Sequence, residues 1–253
     1  MVQENIPPLV GHFQAMGCPC EILLDTADTA VLTKQLNAAK QEAARIEKKY
    51  SRFLVGTVVD QINHSEGKKV EVDEETADLL DYASECYEIS DGLFDITRRG
   101  WDKVSWKRPF IRLPSGYEID LGGICKEYAS DRILSLLLKR QKISTLVNLG
   151  GDIAAAGNRL WSVGIEDVSQ PGTVARTIHL RQGGVATSGT TKRAGHIVNP
   201  KTGKPVREAP QSVTVAAKTC TEAGFWSTLA ILQGPKAEAF LKEQSLESWC
   251  YRS

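Results

Sequence analysis

From Thr29 to Tyr50, apolar residues recur every three or four positions, at Val31, Leu32, Leu36, Ala39, Ala43 and Ile46. That spacing predicts an amphipathic helix. Residues 73–90 repeat the pattern through Ala77, Leu80, Ala83 and Tyr87, and Asp73, Glu74 and Glu75 put negative charge at the positive end of the helix dipole. A third helix is predicted over 128–140, with Ile133, Leu134, Leu137 and Leu138 on one face. A last pair spans 222–233, stopped by Gly234-Pro235, and 236–244. Between them, shorter runs rich in β-branched residues read as strands: two across 12–25 with a break at Met16-Gly17, then 145–149, 161–165, 175–180 and 211–217. Ile119-Asp120-Leu121 reads as one more, ahead of the paired glycines 122 and 123.

Hairpin-like strands and separate helices in this order predict an α+β fold rather than a repeating βα array. Without an internal repeat or linker, one domain over 1–253 is the simplest division, whether or not it forms two lobes around a cleft. Lysine plus arginine and aspartate plus glutamate both total 31, so no global field draws nucleic acid or an anionic membrane. An anion site must therefore be local. No apolar run approaches the roughly 20 residues of a membrane helix. The N-terminus has no basic segment followed by an apolar one, which predicts a cytoplasmic protein. The six cysteines, at 18, 20, 86, 125, 220 and 250, lack zinc spacing and are expected to be reduced thiols.

The densest chemistry lies in residues 185–205, where hydroxyls, glycines, cations and His196 share a segment too rich in Gly and Pro for a regular helix. It reads as a binding loop. His196 suits a base or a phosphate donor near neutral pH. Asp95 and Asp120 fit ligand binding and turn capping equally well. Lys126 sits at a helix start, where the macrodipole disfavours a cation unless an anion neutralises it; a solvated side chain is the alternative. Gly150-Gly151-Asp152 is either a second glycine-lined anion site or a tight turn. Residue chemistry alone reaches a small anionic ligand in a glycine-lined cleft.

Eight segments taken in order resemble the ApbE family of FAD:protein FMN transferases. They are Ala15-Met-Gly17, Tyr50-Ser-Arg-Phe53, Gly92-Leu-Phe-Asp-Ile-Thr97, Asp120-Leu-Gly-Gly-Ile-Cys-Lys126, Val147-Asn-Leu-Gly-Gly-Asp152, Ala186-Thr-Ser-Gly189, His196-Ile-Val-Asn-Pro-Lys-Thr-Gly203 and Ser227-Thr228. The resemblance implies a central flavin-nucleotide cleft that binds FAD and Mg²⁺. It also implies transfer of FMN to a Ser or Thr of an acceptor flavoprotein carrying a flavinylation motif, with release of AMP. Met16, Tyr50, Leu93, Phe94, Asp95, Asp120, Lys126 and Ile197 match residues that hold FAD, and Gly123 and Thr228 match groups on the metal. Thr187 and Ser188 are candidate hydrogen-bond partners of the phosphates; His196 and Lys126 are the catalytic candidates.

Three positions depart from the family pattern. Gly224 stands where an Asp is usual four residues before the metal-binding threonine, Glu127 follows Lys126 where Gly is usual, and Asn199 replaces Asp ahead of Pro200. Loss of the Asp implies a weakened Mg²⁺ site, since a hard cation prefers carboxylates. Glu222, about 200° around a helix from 224, is no direct substitute and fits a capping box with Thr219. An FAD-binding homologue impaired in transfer, or an FAD pyrophosphatase, are the alternatives these departures suggest.

Overall fold

Residues 7–189 and 197–252 are described by the structure, a computed structural model. The chain opens with a hairpin of β1 (Leu9–Ala15) and β2 (Cys18–Leu24), turned by Met16 and Gly17 at positive φ. Then come α1 (Thr29–Tyr50), α2 (Val58–Asn63), β3 (Val70–Glu71), α3 (Glu74–Ile89), β4 (Ser105–Lys107) and β5 (Phe110–Arg112). A 3₁₀ turn at Leu121–Gly123 leads into α4 (Cys125–Arg140), β6 (Thr145–Leu149), β7 (Asp152–Ala156), β8 (Trp161–Glu166), β9 (Val174–Leu180) and β10 (Gly183–Gly189). The last part holds β11 (Val198–Asn199), β12 (Lys204–Pro205), β13 (Ser212–Ala217), α5 (Cys220–Leu232), α6 (Ala237–Glu243) and β14 (Glu247–Tyr251).

The α+β expectation holds. A seven-stranded sheet runs in the order β1-β2-β6-β7-β10-β13-β14, with every pairing antiparallel. Strand alternation sends Val147, Leu149, Asp152 and Ala154 to one face and Leu146, Ile153 and Val185 to the other. The first face is covered by α1, α4 and α5; the second by the β8–β9 hairpin through Trp161, Val163, Ile165, Ile178 and Leu180.

The local signals explain the helix starts. Asp28 caps α1, its Oδ1 accepting from the N–H of Ala30 at 2.8 Å, and Asp73 caps α3 by accepting from Thr76 N–H at 3.0 Å. The periodic stripe of α1 turns Ala39, Ala43 and Ile46 fully inward. By contrast α5 is buried nearly all round, and strand β10 passes so close that a Cβ on Gly184 would lie 2.0 Å from the backbone N of Cys220. Only glycine permits that approach.

Several expectations need correction. Residues 185–189 do not begin a loop, as their composition predicts, but form the end of β10, an interior strand of the sheet. Its alternation is masked by small residues, which pack where α5 lies against the sheet. Ile119-Asp120-Leu121 is no strand: Asp120 caps the 3₁₀ turn, accepting from Gly122 N–H at 2.9 Å. Helix α4 starts at Cys125, three residues before the predicted start, so Lys126 and Glu127 both lie in its first turn. The short elements α2, β3, β4, β5, β11, β12 and the edge strand β14 carried too little periodic pattern to be predicted.

Candidate active site

The antiparallel register carries distant turns to one rim of the sheet. Cys20 pairs with Leu149 and Leu149 with Asp152, which sets the Met16-Gly17 turn beside the Gly150-Gly151 turn. Val185 pairs with Ile153, so β10 runs its Thr187-Ser188-Gly189 end toward the same rim. Two loops complete it. The N–H of Asp120 donates to the carbonyl of Ile96 at 2.8 Å, joining the 92–97 segment to the glycine turn. Asp120 Oδ2 then accepts from Arg52 at 3.0 Å and Arg98 at 3.3 Å, attaching the Tyr50-Ser-Arg-Phe53 loop.

At the centre, Lys126 Nζ donates to Asp152 Oδ2, and Asp152 is only 2% exposed. The cation that the helix dipole disfavours is thus paired with a buried carboxylate, while its own side chain stays 32% exposed. Burial works against the charge on Lys126, but Asp152 and Glu127 outweigh it and raise its pKa. Burial raises the pKa of Asp152 in turn, opposed by Lys126 and by a hydrogen bond from the backbone N–H of Thr187.

The two β10 hydroxyls go to opposite faces. Ser188 Oγ lies 2.8 Å from Ser227 Oγ and 2.9 Å from Thr228 Oγ1, tying the strand end to α5. Thr187 Oγ1 instead meets Thr214 Oγ1 at 2.9 Å, across the strand pair and away from Asp152. Only the backbone N–H of Thr187 serves the rim.

The remaining candidates are placed as follows. Met16 donates its N–H to Glu47 Oε2 at 3.1 Å. Tyr50 is a core residue, 3% exposed, with its hydroxyl 3.3 Å from that of Thr76. Phe94 is buried edge-on against Phe225, ring centroids 5.4 Å apart, beside Gly123, with Leu93 half-buried next to it. Asp95 is committed to its own turn, accepting from Thr97 N–H and Gly100 N–H at 2.8 Å each. Ile197 packs with the cluster of Val213, Val215 and Ile231. His196 lies outside the described residues.

The three departures have structural counterparts. Asn199 Oδ1 accepts from Lys201 N–H at 2.9 Å, an Asx turn that an aspartate oxygen would make equally well. Thr219 caps α5 by accepting from Glu222 N–H at 3.1 Å, while Glu222 Oε2 accepts from Lys218 N–H at 3.2 Å, so that carboxylate is occupied one residue outside the predicted box. Gly224 and Glu127 belong together. A Cβ on Gly224 would lie 2.5 Å from Glu127 Cγ and 3.0 Å from its Cδ and Oε1. The Glu127 side chain therefore fills the space that a residue-224 side chain needs. Glu127 is 9% exposed, and its Oε2 has no hydrogen-bond partner. Burial, then the charge of Asp152, push its pKa up to about 8 against the pull of Lys126. Sequence reasoning treated these two positions separately; only their contact makes them one feature.

A cavity of about 540 Å³ opens at the far end of α4, lined by Leu138, Lys142 and Gly183 among others, and contains none of the candidate residues. Polar chemistry, not volume, marks the rim.

A model of the ApbE family matches residues 16–100 and 97–249. The chain is 32% identical over 129 residues to an FAD:protein FMN transferase of Klebsiella pneumoniae, covering 47% of this chain and 40% of that relative's length. It is similar in structure to an ApbE protein of Thermotoga maritima, at 26% identity and a TM-score of 0.87 over 96% of this chain and 94% of that one. It shares its fold with the apo form of a flavinyl transferase ApbE of Pseudomonas stutzeri, at 21% identity and a TM-score of 0.86 over 99% and 94% of the two chains. With the two overlapping family matches reaching from the first turn of the hairpin to the edge strand, the chain belongs to the ApbE family.

Proposed function

We propose that this chain is an FAD:protein FMN transferase, which moves FMN from FAD to a Ser or Thr hydroxyl of an acceptor flavoprotein. The observation that carries the reading is the convergence of Lys126, Asp152, Ser188, Thr228 and the glycine turns on one rim. The acceptor hydroxyl attacks the FMN-side phosphorus and forms the new phosphoester. The pyrophosphate P–O bond breaks, and AMP leaves with its electron pair. His196 is assigned to receive the hydroxyl proton. Lys126 is oriented by Asp152 through one N–H and keeps its other donors for phosphate oxygens. The backbone around Met16, Leu93, Phe94, Asp95, Asp120 and Ile197, with Tyr50 behind it, is assigned to hold the flavin nucleotide.

The rim also suits a divalent cation such as Mg²⁺, because an orphaned carboxylate oxygen lies between the α4 start and α5. Gly123, through its carbonyl, and Thr228, through its hydroxyl, are assigned to it. When bound, the cation supplies neutralisation of the pyrophosphate charge.

The test is to incubate the protein with FAD, Mg²⁺ and an acceptor domain bearing a Ser/Thr flavinylation motif. A fluorescent acceptor band in a denaturing gel with stoichiometric AMP is expected, both lost when the acceptor hydroxyl is replaced by Ala. Absence of covalent flavin with every divalent ion tried would overturn the reading; AMP and free FMN without an acceptor would identify a pyrophosphatase instead.

A further inference from the structure

Among the described residues, Glu127 Oε2 is the one buried carboxylate oxygen with no hydrogen-bond partner. Its side chain enters from the first turn of α4 and crosses to α5, where it runs through the volume above Gly224. One turn along the same face of α5 from Gly224 is the Thr228 hydroxyl, already positioned by Ser188. The nearest cation, Lys126, is engaged by Asp152, and Glu127 joins no salt bridge among the described residues. Burying an ionised carboxylate oxygen with no donor is costly unless a proton or a cation completes it, and a bound cation competes with the proton for that oxygen. The Thr228 hydroxyl and the Glu127 carboxylate are both oxygen donors, which suit a hard divalent cation rather than a soft one.

We infer that Glu127 is the anionic ligand of a divalent cation at this rim, its carboxylate reaching from α4 the place that an acidic side chain at 224 would reach from α5. The glycine at 224 is then a requirement of that arrangement, because any side chain there collides with Glu127. The expected weakening of the metal site does not follow from Gly224 alone. The inference rests on the flavin-transfer reading for the cation's purpose, but not for its ligand.

The experiment titrates Mn²⁺, followed by the electron paramagnetic resonance of the free ion, with and without FAD. It compares the wild-type chain, Glu127→Gln, and the double exchange Glu127→Gly/Gly224→Asp. FAD binding is measured separately by flavin fluorescence quenching. Glu127→Gln keeps the shape but removes the charge, and is expected to weaken Mn²⁺ at least about tenfold while FAD still binds. The double exchange is expected to restore affinity to within about threefold, and Mn²⁺ should raise the melting temperature of the wild type and the exchange variant but not of Glu127→Gln. Mn²⁺ affinity in folded Glu127→Gln within about twofold of wild type overturns the inference. So does a wild-type chain that binds no Mn²⁺ in either condition. If Glu127→Gln does not fold, Glu127→Ala decides: at least about tenfold weaker Mn²⁺ binding in that folded variant supports the inference, and wild-type affinity sinks it. Glu127-dependent Mn²⁺ binding without flavin transfer would instead remove the transferase reading and leave the ligand assignment standing.

Discussion

The two faces of the seven-stranded sheet are built from the same strands and do different work. Under the β8–β9 hairpin lie Leu146, Ile153, Trp161, Val163, Ile178 and Val185, an apolar layer with no buried ionisable group among the described residues. Under the helices lie Asp152, Glu127, Ser130 and Ser227 as well as the larger apolar core. Neighbouring residues divide between them: Ile153 follows Asp152, and Ser188 follows Thr187, each pair split by the pleat. A strand has one backbone but two chemical programmes. The hairpin face needs only to pack, while its neighbour carries buried charge beside the candidate site.

That contrast can be broken or sharpened by substitution. The largest effect is expected from Asp152→Ala, which leaves Lys126 uncompensated beside the helix start. Stability should fall by roughly 3–5 kcal/mol in urea unfolding, and FAD affinity should fall with it. On the other face, Ile178→Ala should cost about 2–4 kcal/mol but leave FAD affinity of the folded protein unchanged, as read by flavin quenching. Equal losses of FAD binding in both variants would mean that the faces are not functionally separate.

A smaller effect is expected where the helical layer is tied to itself. Glu75 on α3 accepts from Arg45 at 2.6 and 2.8 Å, from Lys49 at 2.7 Å and from the Tyr128 hydroxyl at 2.9 Å. The Arg45 hydrogen bonds, helped by those of Lys49 and Tyr128, hold its pKa well below the usual value against the cost of burial. A depressed carboxylate contributes stability fully above its unfolded value, near 4.3, and loses it as pH falls toward the folded one. Glu75→Gln should therefore cost roughly 1–2 kcal/mol at pH 7, the figure discounted for solvent screening, and the gap from wild type should narrow below about pH 4. The smallest effect is chemical rather than energetic. A shared hydrogen bond with Cys20 lowers the Cys18 thiol to about 7 despite partial burial. Iodoacetamide should modify Cys18 first, at a rate rising through about pH 7, while buried Cys125 and Cys220 stay protected.

How much of this was legible before the fold depends on range. α1 was readable because its stripe is long and regular, and the caps at Asp28 and Asp73 act over three residues. Asp95 could be read as a turn former, as it is. The Lys126–Asp152 pair was not legible, since it depends on the register of β7 against α4, 26 residues apart in sequence. Thr187 and Ser188 look equivalent in the sequence because small residues hide the alternation of β10, which sends them to opposite faces. Glu127 and Gly224 looked like two independent losses, because sequence spacing says nothing about a contact across two helices.

The exchange between those two positions bears on how such chains are sorted. A filter that demands an acid at a single alignment column would discard this protein, whereas one that accepts an acid at either column, but not both, would keep it. With Glu127 as the cation's ligand, proteins sharing its Glu and Gly combination would form a branch separated from the rest by the route of one side chain.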